Sequence, residues 1–580
     1  MEPTKDNIVP TQRMTRYGDM NDLDVVKKLI GALLYSNPKD RAAEGLPASR
    51  DEAINLAGDA IYASIKSRGT IYNCDGVGYI LLRGQEPKPI RISPTDSRFA
   101  DLLINYGIGP GMEAEKRIGK FLGIRANQDG HKTSIRHFFY YNPETETAYS
   151  CEQLGQLLRV TKDGIERVPN GTDGQLFEFN EKYQEYIVDL DSLSFFTGGI
   201  SRALVPSDML AKVFHGIQFE PSRLTVDQKM ILISTWVVVM ILSGLIVEKP
   251  ILQIVGPSGS GKTSMLEIIG RTLFGSEFRV ERLAEDAKEF ENSVINNDFL
   301  AIDNTTGVPK GIRSLICQTV TGFRVTRREL YTTMGQVQRT STATLAVAGI
   351  TKMLNETETS NRSIDIHIKE RPSENNISEQ DLHNEIDWGR PGLMGELLVR
   401  IQMVLKAHDA ERDYTPKTSL RLAGFASVLL RVARHEGWEA GAKELIAIWR
   451  EEQEESALEG EDVAQILVLW ISRSDWKPVT LSGEQLNREL CAVAAANSMG
   501  QTSWEGRPQW LGIRLQRSVS SYRRRFGLEI VPDKHTKSNR YRFAPTEEQL
   551  VLLRNEELRP ATADPESGPE SELDSQEKLF

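Results

Sequence analysis

The stretch Gly256-Pro257-Ser258-Gly259-Ser260-Gly261-Lys262-Thr263-Ser264, GPSGSGKTS, decides the fold. It fits the spacing G-x-x-x-x-G-K-[ST], follows the apolar run ILQIVG (251–256) and leads into helical text from about Thr263. A strand, a glycine-rich turn and a helix in that order direct backbone N–H groups and the positive end of a helix dipole at one point, which suits a phosphate chain. Gly256, Gly259 and Gly261 let the backbone turn inward, and Ser258, Ser260 and Ser264 complete the candidate cofactor-binding set. Lys262 is placed to reach the β- and γ-phosphates and Thr263 to ligate Mg²⁺, so the expected cofactors are ATP and Mg²⁺.

Around the loop, residues 226–375 alternate apolar strands with helices in the manner of a parallel-sheet nucleotide-binding domain. The predicted strands are ILQIVG (251–256), DFLAID (298–303), TLAVAGI (344–350) and IDIHI (364–368). Mg²⁺ needs a carboxylate at the end of a neighbouring strand, and Asp303 supplies one. The next residue is Asn304, an amide that cannot accept a proton from attacking water. Glu285 and Glu289 are the remaining candidates for a base.

At 580 residues the chain is long enough for several cores, and 39% hydrophobic with 26% charged residues is the composition of a soluble globular protein. The expected map has a disordered tail over 1–20, an α+β N-terminal domain with connector over 21–225, and the ATPase domain over 226–375. A helical lid region over 376–475, a winged helix over 476–545 and an acidic disordered tail over 546–580 follow. Cys74, Cys151, Cys317 and Cys491 are too dispersed for a zinc site or a disulfide framework, which fits a reducing cytoplasm. Residues 230–247, MILISTWVVVMILSGLIV, just reach the length of a membrane span, but Ser234, Thr235, Ser243 and Gly244 and the adjoining strand favour a buried helix, so no membrane is expected.

Small-molecule kinases, transporter-type ATPases and ring ATPases acting on polymers all use such a loop. Leu481-Ser482-Gly483-Glu484-Gln485 imitates the transporter signature but falls far beyond Asp303, and Ser482 with Gln485 reads as a helix capping box. The metal strand is followed by QTVTGFRVTRRELYTTMGQVQRTSTATLAVAG, in which Arg324, Arg327, Arg328 and Arg339 fit a basic hairpin that touches DNA phosphates, or else a solvated charged face. Arg362, before the strand IDIHI, is the candidate arginine finger toward a neighbouring subunit, or else a surface Arg paired with a nearby Glu.

With these residues in place the chain resembles the ring-forming AAA+ and superfamily 3 helicase ATPases of phages and integrative elements, the helicase part of primase-helicases or replication initiators. The resemblance rests on GPSGSGKTS, FLAIDN, VTGFRVTRRELYTT, LAVAGI and NRSIDIHI. It implies that Arg324, Arg327 and Arg328 lie near DNA and that Arg362 serves the adjacent active site. It also implies an Asn near the end of LAVAGI, where this chain has Ala348 with Thr351 nearby. No metal-binding acidic cluster supports primase activity in the N-terminal domain.

The overall charge of -11 hides a basic module. Residues 501–545 hold ten Lys or Arg against three Asp or Glu, net +7, whereas 546–580 hold three against ten, net -7. Arg514, Arg517, Arg523, Arg524 and Arg525 fall on or beside one helix and Lys534, Lys537 and Arg540 on a wing, the arrangement of a winged helix on DNA. Trp510, Leu511, Leu515, Val519 and Phe526 are expected in its core.

The sequence therefore predicts an α/β chain with a P-loop AAA+ type parallel-sheet ATPase domain and a C-terminal winged helix. The expected activity is that of a ring-forming, hexameric ATPase, with Lys262, Asp303 and Arg362 catalytic, translocating on single-stranded or forked DNA. Two rivals stand beside it: a non-translocating DNA-binding loader or transposition-type regulator that uses ATP binding as an assembly switch, and a defence or signalling ATPase.

Overall fold

The computed structural model describes residues 17–84, 88–153, 155–178, 184–193, 202–204, 216–303, 307–322, 324–328, 336–340, 343–354, 357–371, 378–459, 461–474, 476–499, 504–532 and 539–557. Side chains within 323–342, and those of a few further residues including Arg517, are not described. The chain forms two compact units, one of Met1–Met353 with Ile364–Leu445, the other of Leu354–Ser363 with Ile446–Phe580.

The first unit begins with α+β text that folds as its periodicity predicts. Helices Leu23–Tyr35, Arg50–Arg68 and Glu113–Asp129 bury Ile30, Ile61 and Ile118 against a sheet ordered Ile90–Arg91, Val77–Leu82, Gly69–Cys74, His131–Thr133. Its central hairpin turns at Asp75 and Gly76, with φ of 53° and 86°, the left-handed pair that an Asp-Gly turn supplies. Met20 belongs to this core and Tyr17 packs against it, so part of the expected tail over 1–20 is folded; residues 1–16 lie outside the described residues. A second sheet runs as a meander, Phe139–Asn142, Thr147–Gln153, Gln156–Val160 and Ile165–Pro169. The start of the connector is packed down: Tyr186 and Val188 are buried, and Val188 N–H donates to Glu152 at 2.7 Å.

The centre of this unit is a five-stranded sheet ordered Glu281–Arg282, Phe299–Asp303, Thr344–Gly349, Ile251–Val255, Ser363–His367. The pairings of the middle strands are parallel, and each of the four predicted strands is present. Ile251–Val255 is buried at every position, as a strand covered by helices on both faces must be. The apolar stretch from residue 230 forms most of the buried helix Val226–Ile241, opened by a Thr225/Gln228 capping box. Trp236 from it meets Phe299 edge-on at 5.7 Å, and Phe274, Phe278 and Phe299 stack within 6.0 Å of one another. Each such ring removes roughly 150–250 Å² from water, which makes this aromatic stack a main anchor of the sheet. Among the described residues no helix is long and apolar enough to cross a membrane.

Arg324–Arg328 and Gln336–Thr340 pair antiparallel, with Arg324 opposite Thr340 and Arg328 opposite Gln336, so the expected hairpin forms. Its Arg side chains lie outside the described residues. The long helix Glu379–Ala410 binds the loop helix Lys262–Phe274 through Arg271–Asp387 at 2.7 Å and Arg390 Nε to the Thr272 carbonyl at 3.0 Å.

In the second unit, helices Asp462–Ile471, Gly483–Ala496, Pro508–Arg517 and Val519–Phe526 share one core with a sheet ordered Val479–Ser482, Asn539–Phe543, Leu528–Pro532. Ser482 and Gln485 do form a capping box. Three expectations change here. The core takes in Val463, Leu467 and Ile471, ahead of the expected boundary at 476. The expected disordered tail opens with a helix, Glu547–Glu557, because Thr546 and Gln549 cap each other, acidic residues favour a first turn, and Leu553 is buried. Trp510 is 57% exposed, whereas Leu511, Leu515 and Phe526 are buried, because Trp510 falls on the outer face of its short helix.

Candidate nucleotide site

The loop is shaped by left-handed glycines. Gly259 has φ +73° and Gly261 φ +89°, and Gly261 caps the helix Lys262–Phe274, so the first amides of that helix face the loop. A Cβ at Gly256 would meet the Ile368 carbonyl at 2.5 Å and Ser260 Oγ at 2.9 Å, which excludes any larger residue. Ser260 is buried, while Ser258 is exposed and Ser264 is partly covered. Lys262 curls into the loop: its Nζ donates to the carbonyls of Gly256 at 2.9 Å and Pro257 at 2.6 Å. Only 8% of the residue is exposed, and burial pulls its ammonium below the ordinary lysine range while Asp303 opposes that shift.

Thr263 Oγ1 donates to a carboxylate oxygen of Asp303. These residues are forty apart in sequence: Thr263 opens the helix that follows the strand Ile251–Val255 and Asp303 ends the strand Phe299–Asp303, with Thr344–Gly349 between the two strands. A hydroxyl and a carboxylate meeting beside a buried ammonium, at the carboxyl ends of parallel strands, form a hard oxygen donor set suited to Mg²⁺. The same glycine cradle suits polyphosphate, so the chain's residues fit both expected cofactors.

Glu289 is exposed and turns back to accept from the Glu285 N–H at 3.2 Å, a helix-capping arrangement, and Glu285 is exposed as well. Ala348 is fully buried and Thr351 exposed. Asn304 lies outside the described residues. Gln253 Nε2 donates to Asp365 at 2.9 Å and Asp365 pairs with Lys352 at 3.8 Å, which links the middles of the loop strand and the edge strand to the turn after Thr344–Gly349.

Sequence reading missed Arg371. Its Nε donates to the Gly216 carbonyl at 2.8 Å, and its guanidinium lies against Gly261. The signal was hidden because it depends on the connector: Glu220 N–H donates to the His367 carbonyl and Lys369 N–H to that of Gln218, which brings residues 216–220 alongside the edge strand.

In the second unit, Arg362 donates to Glu358 at 3.1 Å and its side chain is 12% exposed. Arg514 pairs with Asp462, which also accepts from Trp504 Nε1 at 3.1 Å, and Arg524 faces Glu454 at 3.5 Å and Glu451 at 3.9 Å. These two guanidinia are thus held by carboxylates of the same unit. Arg523 and Arg540 are exposed. Arg525 lies over the Phe526 ring at 5.5 Å. The Arg517 side chain and residues Lys534 and Lys537 lie outside the described residues.

Residues 222–443 match the family model of the actinomycete integrative conjugative element replication protein. That segment contains the five-stranded sheet, the loop and the helices through 423–435, and leaves the N-terminal α+β region and most of the second unit outside it. Among solved structures, one titled as the SCCmec type IV Cch active helicase has 9% identity and a TM-score of 0.41, covering 84% of this chain and 94% of its own. Another, the A form apo structure of the NrS-1 C-terminal region, has 9% identity and a TM-score of 0.36, covering 84% of this chain and 98% of its own. Likenesses of that size do not establish a common fold. A comparison with curated proteins finds no match.

Proposed function

We propose that this protein is a Mg²⁺-dependent ATPase of integrative-element replication that couples ATP turnover to DNA. The observation that carries the reading is the meeting of Thr263 with Asp303 beside Lys262, across an intervening strand and at the mouth of a left-handed glycine loop. The strand order, with Thr344–Gly349 between loop strand and carboxylate strand, and the family match over 222–443 support an AAA+ type replication ATPase.

Magnesium-bound ATP supplies the electrophilic terminal phosphoryl group. Amides of the loop and the helix N-terminus hold phosphate oxygens, and Lys262 exchanges its two carbonyl partners for phosphate. Thr263 and Asp303 hold the metal. The hairpin Arg324–Arg328/Gln336–Thr340 contacts DNA, and the order of strands and helices over 462–543 supports a winged helix that meets DNA through Arg523 and Arg540. In the assembled ring, taken as a hexamer, Arg362 leaves Glu358 for the nucleotide of the adjacent subunit.

A second reading, ATP binding as an assembly switch without translocation, is favoured by the buried Ala348 and by Arg362 being held by Glu358. A strand-displacement assay on forked DNA, run beside analytical ultracentrifugation with and without ATP, separates the two. Displacement that requires hydrolysable ATP supports the motor. ATP-dependent assembly on DNA with no displacement supports the switch and refutes the motor.

A further inference from the structure

We propose that Arg371 is a second phosphate-binding cation of the nucleotide site, acting in cis on the phosphates that ADP and ATP share. The proposal rests on the nucleotide reading of the loop. It starts from the ladder that carries the chain past the loop: Ile368 N–H donates to the Val255 carbonyl at 2.8 Å, and Phe219 bridges Ile368 antiparallel. Three residues on, Arg371 spends its Nε on the Gly216 carbonyl at 2.8 Å, which fixes the direction of the guanidinium fork. A Cβ added to Gly261 would lie 3.0 Å from Arg371 Nη2 and 3.1 Å from Ile217 Cδ1, so the fork packs directly on the helix-capping residue of the loop.

A guanidinium has five N–H donors, and among the described residues no carboxylate pairs with this one. A half-buried cation left without a counter-charge beside a loop already bearing Lys262 raises the local positive potential, and an anion seated there lowers it. The sheet order says which part of the anion it meets. Asp303 stands two strands to one side of the loop strand, and Arg371 extends the edge strand on the other. The metal and terminal phosphate belong to the Asp303 side, so Arg371 faces the inner phosphates. The fork also needs Gly216, where a Cβ would fall 2.8 Å from Nη2.

The test is the affinity of the full-length protein for ADP and for ATP, with Mg²⁺, by isothermal titration calorimetry. Arg371→Gln is expected to weaken both nucleotides alike, by roughly tenfold or more, as loss of a charge-assisted contact does. Arg371→Lys recovers part of that loss, and Gly216→Ala reproduces it in milder form, with the nucleotide-free Tm of Arg371→Gln unchanged. Wild-type affinity in Arg371→Gln, in a protein whose Lys262→Ala variant binds ATP more weakly, overturns the proposal and leaves the nucleotide reading standing. A loss confined to ATP moves the contact to the terminal phosphate and overturns it, as does a fall in nucleotide-free Tm that accounts for the weakening. Wild-type protein that binds neither nucleotide overturns the proposal and the nucleotide reading together.

Discussion

Replacing Lys262 by Ala tests two consequences of one side chain. In the nucleotide-free protein Nζ serves the Gly256 and Pro257 carbonyls at 2.9 and 2.6 Å, and Gly256 is buried. Losing a donor to a buried carbonyl costs about 1–3 kcal/mol, and the lower end applies here because the loop borders solvent. The variant is therefore expected to melt a few degrees lower without nucleotide. On ATP binding Lys262 exchanges carbonyl partners for phosphate, so the net gain is that of a single hydrogen bond to a charged group, about 1.5–3 kcal/mol. Loss of that gain weakens ATP by roughly 10- to 150-fold, measurable by calorimetry or by the shrinking of the ATP-induced rise in Tm. The wild type carries its own control in pH. Burial depresses the Lys262 pKa, so the charged form is lost as pH rises through that lowered value, and ATP affinity declines before the ordinary lysine range near pH 10.4. A Lys262→Ala protein with wild-type affinity for ATP refutes the assignment of the loop.

Two further perturbations separate structural cations from those available to a ligand. Arg514→Ala breaks the pair with Asp462 and is expected to lower the Tm of the protein while leaving the salt dependence of DNA binding intact, whereas Arg523→Ala, at an exposed position, leaves Tm unchanged and reduces the slope of log K against log salt by about one. The reverse pattern refutes the surface assignment. Lys249 is 8% exposed, and burial pushes its ammonium down to about 8 although Asp298 draws it up. Its folded pKa lies below the unfolded value, so the unfolded chain binds more protons between about pH 8 and 10.5, and stability rises with pH across that window by up to ~3 kcal/mol. Lys249→Met is expected to abolish that rise in urea unfolding series at pH 7 and pH 10, and an undiminished rise assigns it to other groups.

The parts of the fold that could be read in the sequence are those fixed by local chemistry. ILQIV reads as a strand because a parallel strand buried on both faces is near-continuously apolar, Gln253 alone excepted, and GPSGSG reads as a tight turn because Gly259 and Gly261 take left-handed backbone. Asp303 was legible because its strand ends there, although the contact with Thr263 needed the strand order. Arg371 was not legible, since its placement depends on an antiparallel pairing between the connector and the edge strand, remote in sequence. Arg514 reads in the sequence as one of a basic row, and its pairing with Asp462, fifty-two residues earlier, could not be read there. Trp510 went to the core by hydrophobicity, yet a ten-residue helix with Leu511 and Leu515 inward has no place for it on the same face. The tail at 546 looked disordered because acidity was averaged over thirty-five residues, which concealed the Thr546/Gln549 cap and Leu553.

The most direct test of the central claim is steady-state ATP hydrolysis by the purified full-length protein, with and without single-stranded DNA, beside Lys262→Ala, Asp303→Asn and Arg362→Ala. Mg²⁺-dependent turnover is expected that DNA stimulates and that all three substitutions abolish, with ATP binding retained in Arg362→Ala and partial activity restored when Lys262→Ala and Arg362→Ala subunits are mixed. Turnover that ignores DNA, or that survives Lys262→Ala and Asp303→Asn, contradicts the claim.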